Sequence, residues 1–109
     1  MERKAFDALV EERIKKIRSV LEGKGKEYAT DEDSLHNFKR AAELLDSTPE
    51  EALLGMLAKH LVSVIDIVKD RTYLPPVLHT SPQVAFDMID EKIGDSINYL
   101  ILLEALLKE

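Results

Sequence analysis

The 109-residue chain contains no cysteine, and glycine and proline occur only four times each. Without cysteine the protein has neither disulfides nor thiolate metal ligands. A bound metal ion would therefore be held by oxygen atoms or by histidine. No run of 18 uncharged residues is present, so a membrane-spanning helix is not expected.

Basic residues are scarce relative to acidic ones. The chain has 15 Lys and Arg against 21 Asp and Glu, which gives a net charge of -6, and no basic stripe is available to neutralise the phosphates of a nucleic acid polymer. The first four residues begin a charged amphipathic stretch rather than the apolar core of a signal peptide. We therefore expect a soluble intracellular protein that binds neither nucleic acid polymers nor membranes.

The hydrophobic pattern is helical along the chain, and no useful alternating strand pattern occurs. It predicts an all-α, four-helix bundle-like single domain over residues 1–109, with helices at roughly 2–22, 34–45, 49–70 and 82–108. A chain of this size buries only about 60–65% of its unfolded surface, which is marginal for a free monomer. We therefore expect a homo-oligomer.

The predicted first helix has the pattern of an ordinary amphipathic core helix that stops at Gly23. Its apolar face consists of Phe6, Leu9, Val10, Ile14, Ile17 and Leu21. Asp33 or Ser34 is expected to cap the second helix. In the third helix, Ser47 and Glu50 fit a capping box, with Pro49 in the first turn. Residues 71–80 contain two consecutive prolines and are expected to form a loop, after which Ser81 and Pro82 start the fourth helix.

Polar side chains interrupt the apolar pattern of the fourth helix. Glu91, Asp95 and Asn98 follow at spacings of four and three residues, which places them on one face between apolar flanks. Such a stripe should point inward, where carboxylates need a cation, a base or a metal. Glu91 and Asp95 would suit Mg²⁺, which takes one or two carboxylates together with water and phosphate oxygens. The alternatives are a buried salt bridge, for example to Lys59 or Arg40, and simple exposure of the two carboxylates if the helix phase differs from the expected one.

The third helix carries two further groups of interest. His60 lies on its apolar arc and is expected to face the core, as a packing residue or as a ligand. Lys59 and Asp66 lie on another stripe, which is either solvated or turned toward the fourth helix. In the second case Asp66 becomes a third metal ligand and Lys59 a phosphate contact.

The linker between the first two helices could also contact phosphate. Lys24 to Tyr28 combine cations with a flexible glycine, although they lack the full spacing of a phosphate loop. Asn37 and Asn98 are amides at helix positions where propensity does not favour them. They are expected to satisfy buried polar groups or to orient a ligand.

Four strings, in order, resemble a family of small phage and prophage proteins. They are KGKEYA (24–29), LHNFK (35–39), GMLAKHLVSVID (55–66) and EKIGDSINYLILLEALL (91–107), and similar proteins are grouped as a nucleotide-modification-associated domain. The resemblance covers roughly residues 20–107. It implies a protein of the bacterial host cytoplasm with a nucleotide-linked role.

A more distant likeness is to the MazG-like all-α nucleoside triphosphate pyrophosphohydrolases, which bind Mg²⁺ through carboxylates on neighbouring helices. Asp95, followed by Ile97 and Tyr99, is similar to the end of their E-x-x-D motif. Lys92 stands where that motif has its first acid, Glu91 is one residue earlier, and the third helix has no E-x-x-E.

The likeness implies an Mg²⁺-dependent nucleotide enzyme with assigned residues. The metal ligands would be Glu91, Asp95, Asp66 and Glu27. The catalytic residues would be Lys59, which neutralises charge, and His60, which orients a phosphate or the attacking water. The substrate contacts would be Lys26, Asn37, Asn98 and Tyr99, with Tyr28 and Phe38 as further candidates for the base pocket.

A second class of function is a non-catalytic helical interaction protein. The last helix is apolar on nearly every side, as expected of an oligomer core. On this interpretation its carboxylates pair with Lys or His across the interface and fix the register in which the helices pack. Metal binding distinguishes the two hypotheses, whereas oligomerisation does not.

Overall fold

A computed structural model describes residues 1–23, 33–73 and 82–109. Four α-helices occupy these ranges, namely α1 (Arg3–Arg18), α2 (His36–Leu45), α3 (Pro49–Tyr73) and α4 (Pro82–Lys108). A π-helical turn, Ser19–Gly23, continues α1. The described residues contain no strand. The all-α, four-helix fold predicted from the pattern is confirmed, while α3 extends to Tyr73 rather than ending near residue 70.

The start of α3 is capped one residue later than predicted. Thr48 Oγ1 accepts a hydrogen bond from the Glu51 N–H at 3.1 Å and donates one to Glu51 Oε1 at 3.0 Å. The expected pair of Ser47 and Glu50 is therefore wrong. Because Pro49 takes the first helical position, the residue immediately before it becomes the N-cap.

Asp33 organises the beginning of α2. Its Oδ1 accepts a hydrogen bond from the Leu35 N–H at 2.9 Å, and its Oδ2 lies 2.8 Å from Lys39 Nζ. The bond from Lys39, with that from Leu35, holds the pKa of Asp33 below its ordinary value. The carboxylates of Asp33 and Glu109 in turn raise the pKa of Lys39. This polar cluster connects the start of α2 to the C-terminal residue.

The core lies between α2 and the antiparallel pair formed by α3 and α4. Its buried apolar cluster consists of Leu35, Phe38, Leu53 and Leu106, with Met56, Tyr99, Leu102 and Leu103 packed against it. Leu53 packs near the end of α4, whereas His60, two turns later, lies beside Tyr99. This pairing order shows that α3 and α4 run antiparallel, and we call the pair the hairpin.

The expectation that the first helix is a core helix is wrong. No residue of α1 is buried, and its predicted core residues Phe6, Leu9, Val10 and Ile14 are 38–51% exposed. The polar contacts of α1 with α4 come from Arg13 and Lys16, in the C-terminal half of α1. Amphipathic spacing identifies an apolar face, but it does not establish that the same chain covers that face.

Candidate functional site

Two adjoining cavities lie along α4, where it faces α1 and α3. The first, of about 170 Å³, is walled by α2, α3, α4 and the π-turn. The second, of about 370 Å³, lies between α1 and α4. Val20, Asp95 and Asn98 line both cavities. We call the two together the cleft.

The first cavity has aromatic and histidine walls. The His60 ring lies 4.9 Å from the Tyr99 ring, and the Phe38 ring meets Tyr99 edge-on at 6.3 Å between ring centres. His60 Nδ1 is 3.5 Å from Asp95 Oδ2. His60 is therefore held between α3 and α4 with one ring nitrogen facing a carboxylate, and it is partly buried.

Asn98 contributes a polar atom without a partner. The residue is 8% exposed, and within the described part of the chain its Oδ1 has no hydrogen-bond partner although the atom is buried. Leaving a buried acceptor unsatisfied costs about 1–3 kcal/mol, so such groups are rare. Since Asn98 lines both cavities, an incoming polar ligand could satisfy this oxygen.

Charged side chains converge at the second cavity. Lys16 Nζ lies 2.8 Å from Asp90 Oδ2, and Arg13 Nη2 lies 3.4 Å from Asp90 Oδ1. Arg13 Nη1 also donates to the Asp90 carbonyl oxygen at 3.3 Å. The guanidinium passes directly over Gly94, where an added Cβ would lie 2.5 Å from Nη1. Gly94 therefore allows Arg13 to reach across α4.

The second cavity is acidic despite these two cations. Its ionisable lining residues are Arg13, Lys16, Asp87, Asp90, Glu91 and Asp95. Four carboxylates against two cations leave a formal charge of -2 when all are ionised. A free phosphate would be repelled by this lining, whereas a divalent cation would neutralise it.

The structure brings several of the predicted site residues together. His60, Asp95, Asn98 and Tyr99 line the first cavity, and Glu91 lines the second. Glu91 is the most accessible of them, with a side chain that is 63% exposed and lies 3.7 Å from Lys92. The stripe on the last helix is therefore buried at Asn98 and half-buried at Asp95, whereas Glu91 is exposed at the rim, so the expectation that the stripe points inward is wrong for Glu91.

Other predicted residues lie elsewhere. Lys59, Asp66 and Asn37 are exposed and line neither cavity, and Lys26 and Glu27 fall outside the described residues. Their functional assignments stay predictions. Over residues 1–23, 33–73 and 82–109, no three His, Asp or Glu side chains are grouped so that they could hold a metal by themselves.

The salt bridge expected between the α4 carboxylates and Lys59 or Arg40 does not form between those residues in the described structure. Neither Lys59 nor Arg40 pairs with the acids of α4 in the described structure, since Arg40 pairs with Glu43 at 2.7 Å and the contact of Asp95 is His60. The salt bridge predicted to Lys59 or Arg40 is therefore wrong.

Sequence reasoning missed the contribution of α1 to the cleft. Arg13 and Lys16 were not singled out, although Arg13 shares a helical phase with Ile17 and Val20. A cation inside an otherwise apolar stripe is the signal that would have found it. Val20 and Leu21 reach the cavity from the π-turn, a distortion that often occurs at functional sites.

No protein-family model, curated protein or solved structure matches the chain. The helices in the described ranges include none that is long and apolar enough to span a membrane.

Proposed function

We propose that the protein binds a nucleotide together with Mg²⁺ in the cleft and hydrolyses nucleoside triphosphates to monophosphate and pyrophosphate. The observation that carries the proposal is the sharing of Asp95 and Asn98 between an aromatic cavity and a charged one. A nucleotide has the same two-part character, with an aromatic base at one end and phosphates at the other.

The first cavity suits the base. Phe38 and Tyr99 supply aromatic surface, and the unpartnered Asn98 oxygen can accept a hydrogen bond from an exocyclic amino or ring N–H group. Few but well-placed polar groups on an apolar wall are typical of small-molecule sites. Base identity would be set by the hydrogen bonds of Asn98.

The second cavity suits Mg²⁺ and phosphates in combination. Asp95 and Glu91 lie one helical turn apart on the cavity wall, and Mg²⁺ is usually held by one or two carboxylates with waters and phosphate oxygens. When bound there, the ion would neutralise phosphate charge and make water a better nucleophile. The formal charge of -2 on the lining predicts that phosphate binds only when the divalent ion is present.

The remaining polar groups have roles that follow from their positions. Lys16 would move part of its contact from Asp90 to a phosphate oxygen, which is inexpensive because the Lys16–Asp90 contact is half-exposed. Arg13, which is 19% exposed and also bonds the Asp90 carbonyl, would stay in place and extend its free donors to a second phosphate oxygen. His60, 3.5 Å from Asp95, would orient water or phosphate at the boundary of the two cavities. A phage or prophage protein acting on nucleotides in the bacterial cytoplasm fits this proposal.

The test is a calorimetric titration with the common nucleoside triphosphates, with and without Mg²⁺, followed by a pyrophosphate-release assay. A ligand specific to the folded state raises stability by about 2.7 kcal/mol at a hundredfold excess over its Kd. Asp95→Asn should weaken Mg²⁺-dependent binding at least tenfold. The control is Glu104→Gln, which removes an exposed carboxylate on the same helix outside both cavities.

Two results would reject the proposal. The first is that no triphosphate or divalent ion changes the thermal midpoint. The second is that Asp95→Asn and Glu104→Gln bind with the same affinity as the unmodified protein. Binding without hydrolysis would retain the site and remove the enzymatic part of the proposal.

The second candidate function is a non-catalytic, self-associating helical protein. It is favoured by the large apolar side chains that α1, α3 and α4 expose to solvent. This candidate predicts oligomers but no nucleotide binding, so the same titration separates it from the first.

A further inference from the structure

Asp90 holds both of the basic side chains that line the cleft. Among the described residues, Arg13 and Lys16 are the only Lys or Arg side chains in the lining of either cavity. Lys16 Nζ lies 2.8 Å from Asp90 Oδ2, and Arg13 Nη2 lies 3.4 Å from Asp90 Oδ1. One carboxylate therefore engages both of the cations that the cleft could offer to an anion.

The arrangement around Asp90 is also the one in which proteins hold a phosphate group. Lysine and arginine bind carboxylates and phosphates through the same charge-assisted hydrogen bonds. Each oxygen of Asp90, on α4, faces one cation of α1 at the wall of the second cavity. The carboxylate thus takes the place of an anionic ligand while it remains attached to the protein.

The two cations depend on this carboxylate to different degrees. Arg13 also donates through Nη1 to the Asp90 main-chain carbonyl at 3.3 Å, and its guanidinium lies against Gly94. Within the described ranges, the only ion pair of Lys16 is the one with Asp90. Loss of the Asp90 charge would therefore release Lys16 and leave Arg13, with the end of α1 that it holds, in position.

The Lys16 contact is weak enough to be exchanged for a phosphate. The side chains of Lys16 and Asp90 are 42% and 47% exposed, and ion pairs in such a setting contribute little because water and salt screen them. A phosphate oxygen that replaces the carboxylate at Lys16 leaves the Asp90 charge facing the phosphate. Asp90 then adds to the repulsion from Asp87, Glu91 and Asp95 in the same lining.

We propose that Asp90 is a specificity-determining residue, which competes with metal-free phosphate for Lys16 and so makes the cleft select phosphates that arrive with a divalent ion. The proposal rests on the proposed function, because it takes the second cavity as the phosphate site. A divalent ion neutralises the repulsion that Asp90 would otherwise add. The alternative role of Asp90 is to fix α1 on α4, which Arg13 already does through the main-chain carbonyl.

The test is a calorimetric titration of the full chain with inorganic pyrophosphate, first in EDTA and then in excess Mg²⁺. The unmodified protein should bind in Mg²⁺ and bind much more weakly in EDTA. Asp90→Asn keeps the shape of the side chain and removes its charge. It should bind metal-free pyrophosphate about fivefold more tightly than the unmodified protein, which is the gain expected when one half-exposed ion pair no longer competes.

Two further variants separate the release of Lys16 from the mere loss of a negative charge. Glu91→Gln removes the same charge from the same lining without releasing Lys16. Its affinity for metal-free pyrophosphate should rise by less than about twofold, because the Glu91 side chain is 63% exposed and its charge is screened. Adding Lys16→Met to Asp90→Asn should abolish the fivefold gain, since the two residues act as a pair.

Circular dichroism checks that each variant keeps its helical content. Should Asp90→Asn lose helix, Asp90→Ala takes its place, because alanine favours a helix interior and also releases Lys16. The inference is overturned if Asp90→Asn gains no more affinity than Glu91→Gln, or if the gain survives Lys16→Met.

The titration in Mg²⁺ distinguishes a failure of this inference from a failure of the proposed function. Mg²⁺-dependent binding by the unmodified protein, without the gain in Asp90→Asn, removes the role of Asp90 and retains the phosphate site. Equal affinities of the unmodified protein in EDTA and in Mg²⁺ likewise overturn the inference alone. Absence of binding by every variant in both buffers rejects the phosphate site and the inference together.

Discussion

Replacing Asn98 with leucine is expected to stabilise the protein while removing ligand binding. Asn98 is 8% exposed and its buried Oδ1 has no partner in the described structure. A leucine has no acceptor to desolvate, so the penalty of about 1–3 kcal/mol for the unsatisfied oxygen disappears. Residues kept at such a cost are often functional, because activity and stability compete.

The size of the effect follows from three terms. Removing the unsatisfied acceptor contributes about 1–3 kcal/mol, and the higher helix propensity of leucine adds a few tenths of a kcal/mol. Overpacking is not expected to offset these gains, since Asn98 borders a cavity of about 170 Å³. A net gain of about 2 kcal/mol corresponds to a rise in Tm of roughly 10 °C for a domain of this size.

Urea unfolding and calorimetry on Asn98→Leu measure this gain directly. Ser96→Ala is the control, because Ser96 is equally buried (6%) but its hydroxyl donates to the Lys92 carbonyl at 2.8 Å. Removing a satisfied hydroxyl should change stability by less than about 1 kcal/mol. If Asn98→Leu destabilises the protein, the amide is satisfied in solution and the reasoning about an orphaned acceptor fails.

Three further predictions concern the cleft wall, a helix cap and pH. Gly94→Ala should displace the Arg13 guanidinium and weaken nucleotide binding without lowering Tm. The control Gly55→Ala, whose Cβ meets nothing within 4 Å, should raise stability by about 1 kcal/mol and leave binding unchanged. Equal losses of binding in the titrations of both variants would contradict this prediction. Thr48→Ala should lower the free energy of unfolding, measured in urea, by about 1 kcal/mol, and Ser47→Ala should lower it much less. A larger loss for Ser47→Ala would show that Ser47 caps α3 instead. The pKa of Asp33 is lowered from 3.8, and that of Lys39 is raised from 10.5. The stability that comes from their ion pair is therefore present at neutral pH. It is lost as the pH falls through the folded pKa of Asp33, and also as the pH rises through the folded pKa of Lys39. The urea midpoints of the unmodified protein and Lys39→Met should therefore differ at neutral pH and converge once the pH has fallen below the folded pKa of Asp33. A difference that persists in acid would assign the effect to packing.

The local features of the helices were predictable because they depend on neighbouring residues. Pro49 and Pro82 begin α3 and α4 as expected, since proline is tolerated in the first turn. The inward stripe of α4 was also predictable, because 100° per residue places Asp95 and Asn98 on one face. The cap of α3 was misplaced by one residue, since Ser47 and Thr48 have the same chemistry and only the backbone decides between them.

The position of α1 could not be predicted, because it depends on contacts between distant parts of the chain. Leu9 has the spacing of a core residue and is half exposed, whereas Arg13 has the composition of a surface residue and crosses Gly94. The same limit applies to α3, where Leu53 is buried and Leu54 is 54% exposed. Hydrophobic spacing identifies both leucines as apolar positions, but the partner of each depends on the tertiary and quaternary arrangement.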